Sequence, residues 1–157
     1  MDDHVTYSIG EESSHWFVLD IASGRELGKT LYGTDVKQVF STPQCSRINT
    51  AIKSGIDWYK SRLMQDESDN QDGEKQKERV DAVLNACRAR RWTITGEWGS
   101  KVEGGEWAVE KDGVELEVVH EALRIKKGGV GYLNRDQVVS FLEVVGESLR
   151  DPFCMAR

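Results

Sequence analysis

The sequence predicts an α+β fold: an antiparallel sheet built from two strands-then-helix halves, with an extra linking helix. Three observations carry that expectation. Glu106 to Lys111 and Val114 to His120 alternate apolar and polar residues on either side of Asp112-Gly113, which reads as a hairpin. Two longer segments repeat apolar residues at helical spacing, each behind a polar residue suited to an N-cap. A polar stretch, nearly free of apolar residues, lies between the halves.

The C-terminal helix has the clearest signals. Asn134 occupies the N-cap position and Gln137 follows three residues later, while Leu133 and Val138 are placed to pack as a staple across the cap. Val138, Phe141, Leu142, Val145 and Leu149 form its apolar stripe. Its counterpart opens at Thr42-Pro43 and runs to Leu63, burying Ile48, Ala51, Ile52, Ile56 and Tyr59, with Gly55 marking a close approach. Between them, Val80, Val83, Leu84 and Cys87 give the linking helix its face, and Arg88, Arg90 and Arg91 end it where positive charge is favoured.

The predicted strands are Val5 to Ile9, Trp16 to Ile21, Arg25 to Tyr32, Val36 to Phe40, Trp92 to Thr95, the hairpin, and a short basic strand through Leu123 and Ile125. Gly128, Gly129 and Gly131 then bend the chain into the last helix. This divides the chain into a first half (1–63), an acidic polar linker (64–78) and a second half (79–157).

With 27 acidic against 21 basic residues the net charge is −6, which argues against a broadly basic nucleic-acid coat and against attraction to anionic lipid. Cys45, Cys87 and Cys154 have no pairing motif, so no disulfide framework or zinc knuckle is expected. Cys45 and Cys87 read as near-core residues and Cys154 as a thiol in a tail. No signal peptide or long apolar span is read, and a reducing, cytoplasmic location without membrane is the expectation.

The run Lys126-Lys127-Gly128-Gly129-Val130-Gly131-Tyr132-Leu133-Asn134-Arg135-Asp136-Gln137, with the apolar helix behind it, resembles the end of the sheet–helix unit in the Whirly, PUR and transcriptional-coactivator group. The resemblance covers 123–150 closely and the two-half plan loosely. It implies a curved sheet that binds single-stranded DNA or RNA, and self-association into a homo-oligomer. Arg88, Arg90, Arg91, Arg124, Lys126 and Lys127 are the candidate phosphate contacts. Trp98 and Tyr132 are the candidate stacking residues, each worth about 1–3 kcal/mol per base. Trp98, between glycines, is the tryptophan expected to be exposed, whereas Trp107 shares the apolar face of its hairpin.

The opposite face of that hairpin carries Glu106, Glu110, Glu115 and Glu117. These support the alternative expectation, a protein-interaction module that binds a basic partner by charge complementarity. Neither reading is enzymatic. His4, His15 and His120 are widely spaced, and the glycine clusters lack the phosphate-loop and dinucleotide spacings. No catalytic residue, metal ligand or cofactor is therefore expected.

Overall fold

The computed structural model describes residues 14–66, 73–113 and 115–149, and among them it contains helices and no strand. The elements are α1 (His15–Leu27), the short α2 (Val36–Val39), α3 (Cys45–Gln65), α4 (Gly73–Thr95), α5 (Lys101–Trp107, continued by a π-helical turn Ala108–Asp112), α6 (Leu116–Lys126) and α7 (Arg135–Ser148). The expected antiparallel sheet is thus overturned, and with it the Whirly-like α+β architecture. None of the described helices is long and apolar enough to cross a membrane.

The centre of the molecule is α4, which packs against α3, α5, α6 and α7. The stripe Val80, Val83, Leu84 and Cys87 is buried as expected, and so are Ala82, Ala86 and Ala89 on its other sides. Small side chains there let neighbouring helices approach α4 from several directions. The helix begins at Gly73, so Gly73 to Glu78, read as linker, are its first turns.

The α3 stripe also holds: Ile48, Ala51, Ile52, Ile56 and Leu63 are buried, with Tyr59 half-buried. The helix starts at Cys45 rather than Thr42. Gly55 receives α1, whose His15, Trp16 and Leu19 side chains lie 3.6–4.0 Å from where its Cβ would be. Trp16 to Ile21, expected as a strand, is helical because Val18, Ile21 and Ala22 face the core at i, i+3, i+4 inside a continuous apolar run. Arg25 to Leu27 close α1, and Val36 to Val39 form α2. The predicted strand Val5 to Ile9 lies outside the described residues.

The supposed hairpin is two helices. Val118, Val119, Ala122 and Leu123 bury one face of α6, a helical pattern concealed by the alternation of Leu116, Val118 and the preceding valine. Gly113 takes a left-handed conformation (φ 67°) and donates its N–H to the Ala108 carbonyl at 3.0 Å, so Asp112-Gly113 ends a helix instead of turning a hairpin. The predicted basic strand is the last turn of α6. Gly128 (φ 90°) donates to the Ile125 carbonyl and Gly129 to that of Arg124, the paired bonds of a Schellman stop.

Asn134 caps α7 as expected: its Oδ1 accepts from the N–H groups of Asp136 (2.9 Å) and Gln137 (3.2 Å). Leu133 and Val138 are both buried beneath it. Asn134→Ala is expected to lower stability by about 1 kcal/mol, read as a shifted denaturation midpoint with an unchanged slope.

Cys45 is disulfide-bonded, contrary to the expectation of no disulfide, while Cys87 is a buried free thiol. Burial, with Asp112 adding to it, pushes the Cys87 thiol up to about 12 from an ordinary 9.0. The folded thiol keeps its proton where the unfolded one ionises. The linked stability is therefore complete below 9.0 and is lost as pH rises from there toward 12. Urea melts should show a loss on the order of 1 kcal/mol between pH 8 and pH 10 from this group, and that part of the loss should vanish in Cys87→Ala.

Candidate functional site

Most of the basic residues singled out in the sequence are neutralised within the chain. Arg90 grips the Asp112 carboxylate with two nitrogens, Nη2–Oδ1 being 2.9 Å, and donates from Nη1 to Ser148. Arg91 faces Glu97 at 3.4 Å. Arg124 is bidentate on Glu121, whose Oε1 also accepts the Tyr132 N–H at 2.8 Å. These hydrogen bonds, Arg124's first, hold the Glu121 carboxyl below the usual range. Lys126 lies 3.7 Å from Asp81, and Lys127 lies 2.6 Å from Glu106. Four of the six cations thus help to fasten α4, α5, α6 and α7 or their loops together.

The aromatic candidates are also placed differently. Trp98 is 7% exposed, stacked on Trp92 with centroids 5.5 Å apart, so the expectation that it stands free is corrected. Tyr132 is half-buried with the Arg79 guanidinium over its ring at 5.9 Å. The four glutamates do not share a strand face. Glu106 is on α5, Glu110 in the π-helical turn, Glu115 in a left-handed conformation ahead of α6 and Glu117 in its first turn. All four are exposed. His120 is exposed on α6, and His15 is half-buried on α1, where desolvation lowers its pKa. No group of three or more possible metal ligands converges among the described residues.

The structure instead opens a groove of about 870 Å³ between α1, α3 and α4, with the start of α5 at one end. Each wall is one helix face. From α1 come Trp16, Leu19, Asp20 and Ser23; from α3, Trp58, Tyr59, Arg62 and Gln65; from α4, Glu78, Asp81, Asn85 and Arg88. Those spacings are the i, i+3/i+4 rows of three helices. Trp16 meets Trp58 and Tyr59 edge to face at 5.4 and 5.5 Å, and Asn85 donates to the Tyr59 hydroxyl at 3.1 Å. The Glu26 carboxylate accepts the Trp98 N–H at 3.0 Å, tying the end of α1 to the loop after α4.

No protein-family model and no curated protein matches the chain. Function must therefore be argued from the site.

Charges in the groove are largely paired across it. Arg62 on α3 bonds Glu78 on α4 and lies 5.4 Å over the Trp58 ring. Lys75 pairs with Asp66 at 2.7 Å and Lys101 with Asp81 at 2.9 Å. Arg88 stands apart. Its guanidinium lies over Trp98 at 5.4 Å, and it makes no hydrogen bond or ion pair with a described residue. Desolvation lowers its pKa, partly opposed by Asp20.

Of the sequence candidates, the groove brings together only Arg88 and Trp98. Trp16, Trp58, Tyr59, Asp20, Asp81 and Asn85 were missed. The signal was available for α3, since Trp58, Tyr59 and Arg62 flank its buried stripe at helical spacing. It was hidden for α1, whose apolar run matched a strand.

Proposed function

We propose that this chain is a non-enzymatic binding protein and that its ligand lies in the groove between α1, α3 and α4. The observation that carries this reading is the convergence of four aromatic residues, Trp16, Trp58, Tyr59 and Trp98, on one concavity of about 870 Å³. Small-ligand sites span roughly 300–1,000 Å³ and combine aromatic walls with a few placed polar groups. Among the described residues no histidine or cysteine lines it, and three of its carboxylates, Asp66, Glu78 and Asp81, are held by lysines and an arginine, which is the reason to prefer binding over catalysis.

A ligand-observed NMR screen of fragments tests the reading, with Trp58→Ala as the counter-screen. Trp58 is 40% exposed, so its removal should leave the fold standing. Hits are expected to lose their signal with Trp58→Ala and with Trp16→Ala. Hits that persist unchanged in both variants would place the ligand elsewhere.

A second reading has its own observation. Glu110, Glu115 and Glu117 are exposed and have no ion-pair partner among the described residues, on a chain of net charge −6. They favour a basic protein partner, whose capture should be lost with Glu110→Lys/Glu115→Lys/Glu117→Lys and be unaffected by Trp58→Ala. A single-stranded nucleic acid would meet cations already engaged by carboxylates, so it is supported less.

A further inference from the structure

The groove has two ends, and its charges are ordered between them. At one end Trp16 of α1 meets Trp58 and Tyr59 of α3, and Asn85 of α4 donates to the Tyr59 hydroxyl. At the other end Glu26 of α1 accepts the Trp98 N–H, and Arg88 of α4 lies over the Trp98 ring. Both α1 and α4 therefore lead away from the aromatic end toward Trp98. Asp20 comes one helical turn after Trp16, Arg88 one turn after Asn85, and both line the groove. With about 5.4 Å per turn, an acid and a base stand on separate helices, roughly one turn beyond the aromatic cluster.

Most other charges of the lining cancel where they stand. Arg62 bonds Glu78, Lys75 pairs with Asp66, and Lys101 with Asp81. Glu26 is taken up by the Trp98 N–H and lies outside the lining. Lys77 belongs to the first turns of α4, roughly three turns before Arg88. Asp20 and Arg88 are the opposite charges left at their level. Asp20 is near enough to act on the guanidinium through space, yet no ion pair joins them. Asp20 is exposed and Arg88 half-buried, so a ligand can reach both.

This arrangement separates ligands by charge. A ligand with one charge is attracted by one of the two residues and repelled by the other. A ligand with both charges satisfies the two together and leaves the balance of the lining unchanged. An ammonium and a carboxylate on one carbon, a short bond chain from a flat ring, describe a free aromatic amino acid.

We propose that the groove binds a free aromatic α-amino acid, with its ring against Trp16, Trp58 and Tyr59, its ammonium at Asp20 and its carboxylate at Arg88. The inference rests on the reading that the groove is the ligand site. An aromatic residue inside a polypeptide carries neither charge on its backbone, so the ligand is the free amino acid.

The test holds the ring constant and removes one charge at a time. Tryptophan carries both charges at neutral pH, tryptamine only the ammonium and indolepropionate only the carboxylate. Each is titrated into the full-length chain and followed by amide shifts in proton–nitrogen correlation spectra. Tryptophan is expected to bind about tenfold more tightly than either analogue, the size of one charge-assisted hydrogen bond. The shifts should centre on Asp20, Asn85, Arg88 and Ala89. Alanine, the same zwitterion without the ring, should cause no shifts at concentrations that saturate with tryptophan. The variants should give a crossed pattern. Asp20→Asn should weaken tryptophan about tenfold without weakening indolepropionate, and Arg88→Met should weaken tryptophan without weakening tryptamine. A merely structural role for either residue would weaken all three ligands alike.

If tryptophan binds in the groove no better than one of its analogues, the zwitterion assignment is overturned and the groove reading stands. Shifts confined to other surfaces, or none with any probe, would overturn both. The comparison of probes is made on the wild-type chain, so it holds even if Arg88→Met fails to fold.

Discussion

Gly104→Ala is expected to destabilise the protein by about 3 kcal/mol, the upper part of the range for overpacking, and to lower its melting temperature by roughly 10 °C. Helix propensity alone would predict the opposite sign, since alanine is favoured over glycine inside a helix by about 1 kcal/mol. The contact decides. A Cβ on Gly104 would lie 2.7 Å from the Arg88 Cα and 2.9 Å from the Arg88 N, atoms of the α4 backbone that cannot move without shifting the central helix. Gly105 supplies the control. Its Cβ would meet the ends of the Leu123 and Leu84 side chains at 2.8 and 2.9 Å, and those can rotate. Gly105→Ala should therefore cost clearly less. Thermal melts of the two variants measure the difference, and an equal or reversed order would contradict the α4–α5 packing. Because Arg88 stands at this contact, Gly104→Ala is also expected to disturb the groove.

Gln76→Ala should cost about 2–3 kcal/mol, from the loss of a buried hydrogen-bonded pair and the small cavity it leaves. Gln76 holds the backbone of Leu133 on both sides: its Nε2 donates to the Leu133 carbonyl at 3.2 Å, and its Oε1 accepts the Leu133 N–H at 2.9 Å. Arg79, fully buried, donates to the same carbonyl at 2.9 Å. Truncating Gln76 leaves the Leu133 N–H buried without that acceptor, one residue before the α7 cap. Hydrogen exchange should then show faster opening at Leu133 and the first turn of α7 than in the core of α4. Unchanged protection at Leu133 would mean that this lock does not hold α7 in place.

Much of the local structure was legible. The α3 and α7 stripes, the Asn134 cap and the Leu133/Val138 staple follow from residues a few positions apart, and the structure keeps them. Other local signals were present and lost to a competing pattern. Ser100-Lys101-Val102-Glu103 spells a capping box, and both of its bonds form, at 3.1 and 2.6 Å. Lys126-Lys127-Gly128 has the basic last turn and left-handed glycine of a helix stop, yet beside Leu123 and Ile125 it read as a basic strand and a bend. What packs on Gly104-Gly105 was not legible, because spacing within a segment does not reveal its neighbours.

The sequence by itself determined where α7 begins and which stripes of α3, α4 and α7 must be buried, since caps and periodicity act within one or two turns. Tertiary structure decided the rest. The sequence from Val114 to His120 satisfies a period of two and a period of 3.6 at once, and from Leu116 onward the helix wins because Val118, Val119, Ala122 and Leu123 find α4 and α5 beside them. The burial of Trp98, the pairing of Arg90 with Asp112 across 22 positions, and the meeting of Trp16, Trp58 and Arg88 in one groove depend on residues far apart in the chain. Charge and aromaticity can be counted in a sequence, but whether a side chain is paired, buried or facing a cavity depends on which helices become its neighbours.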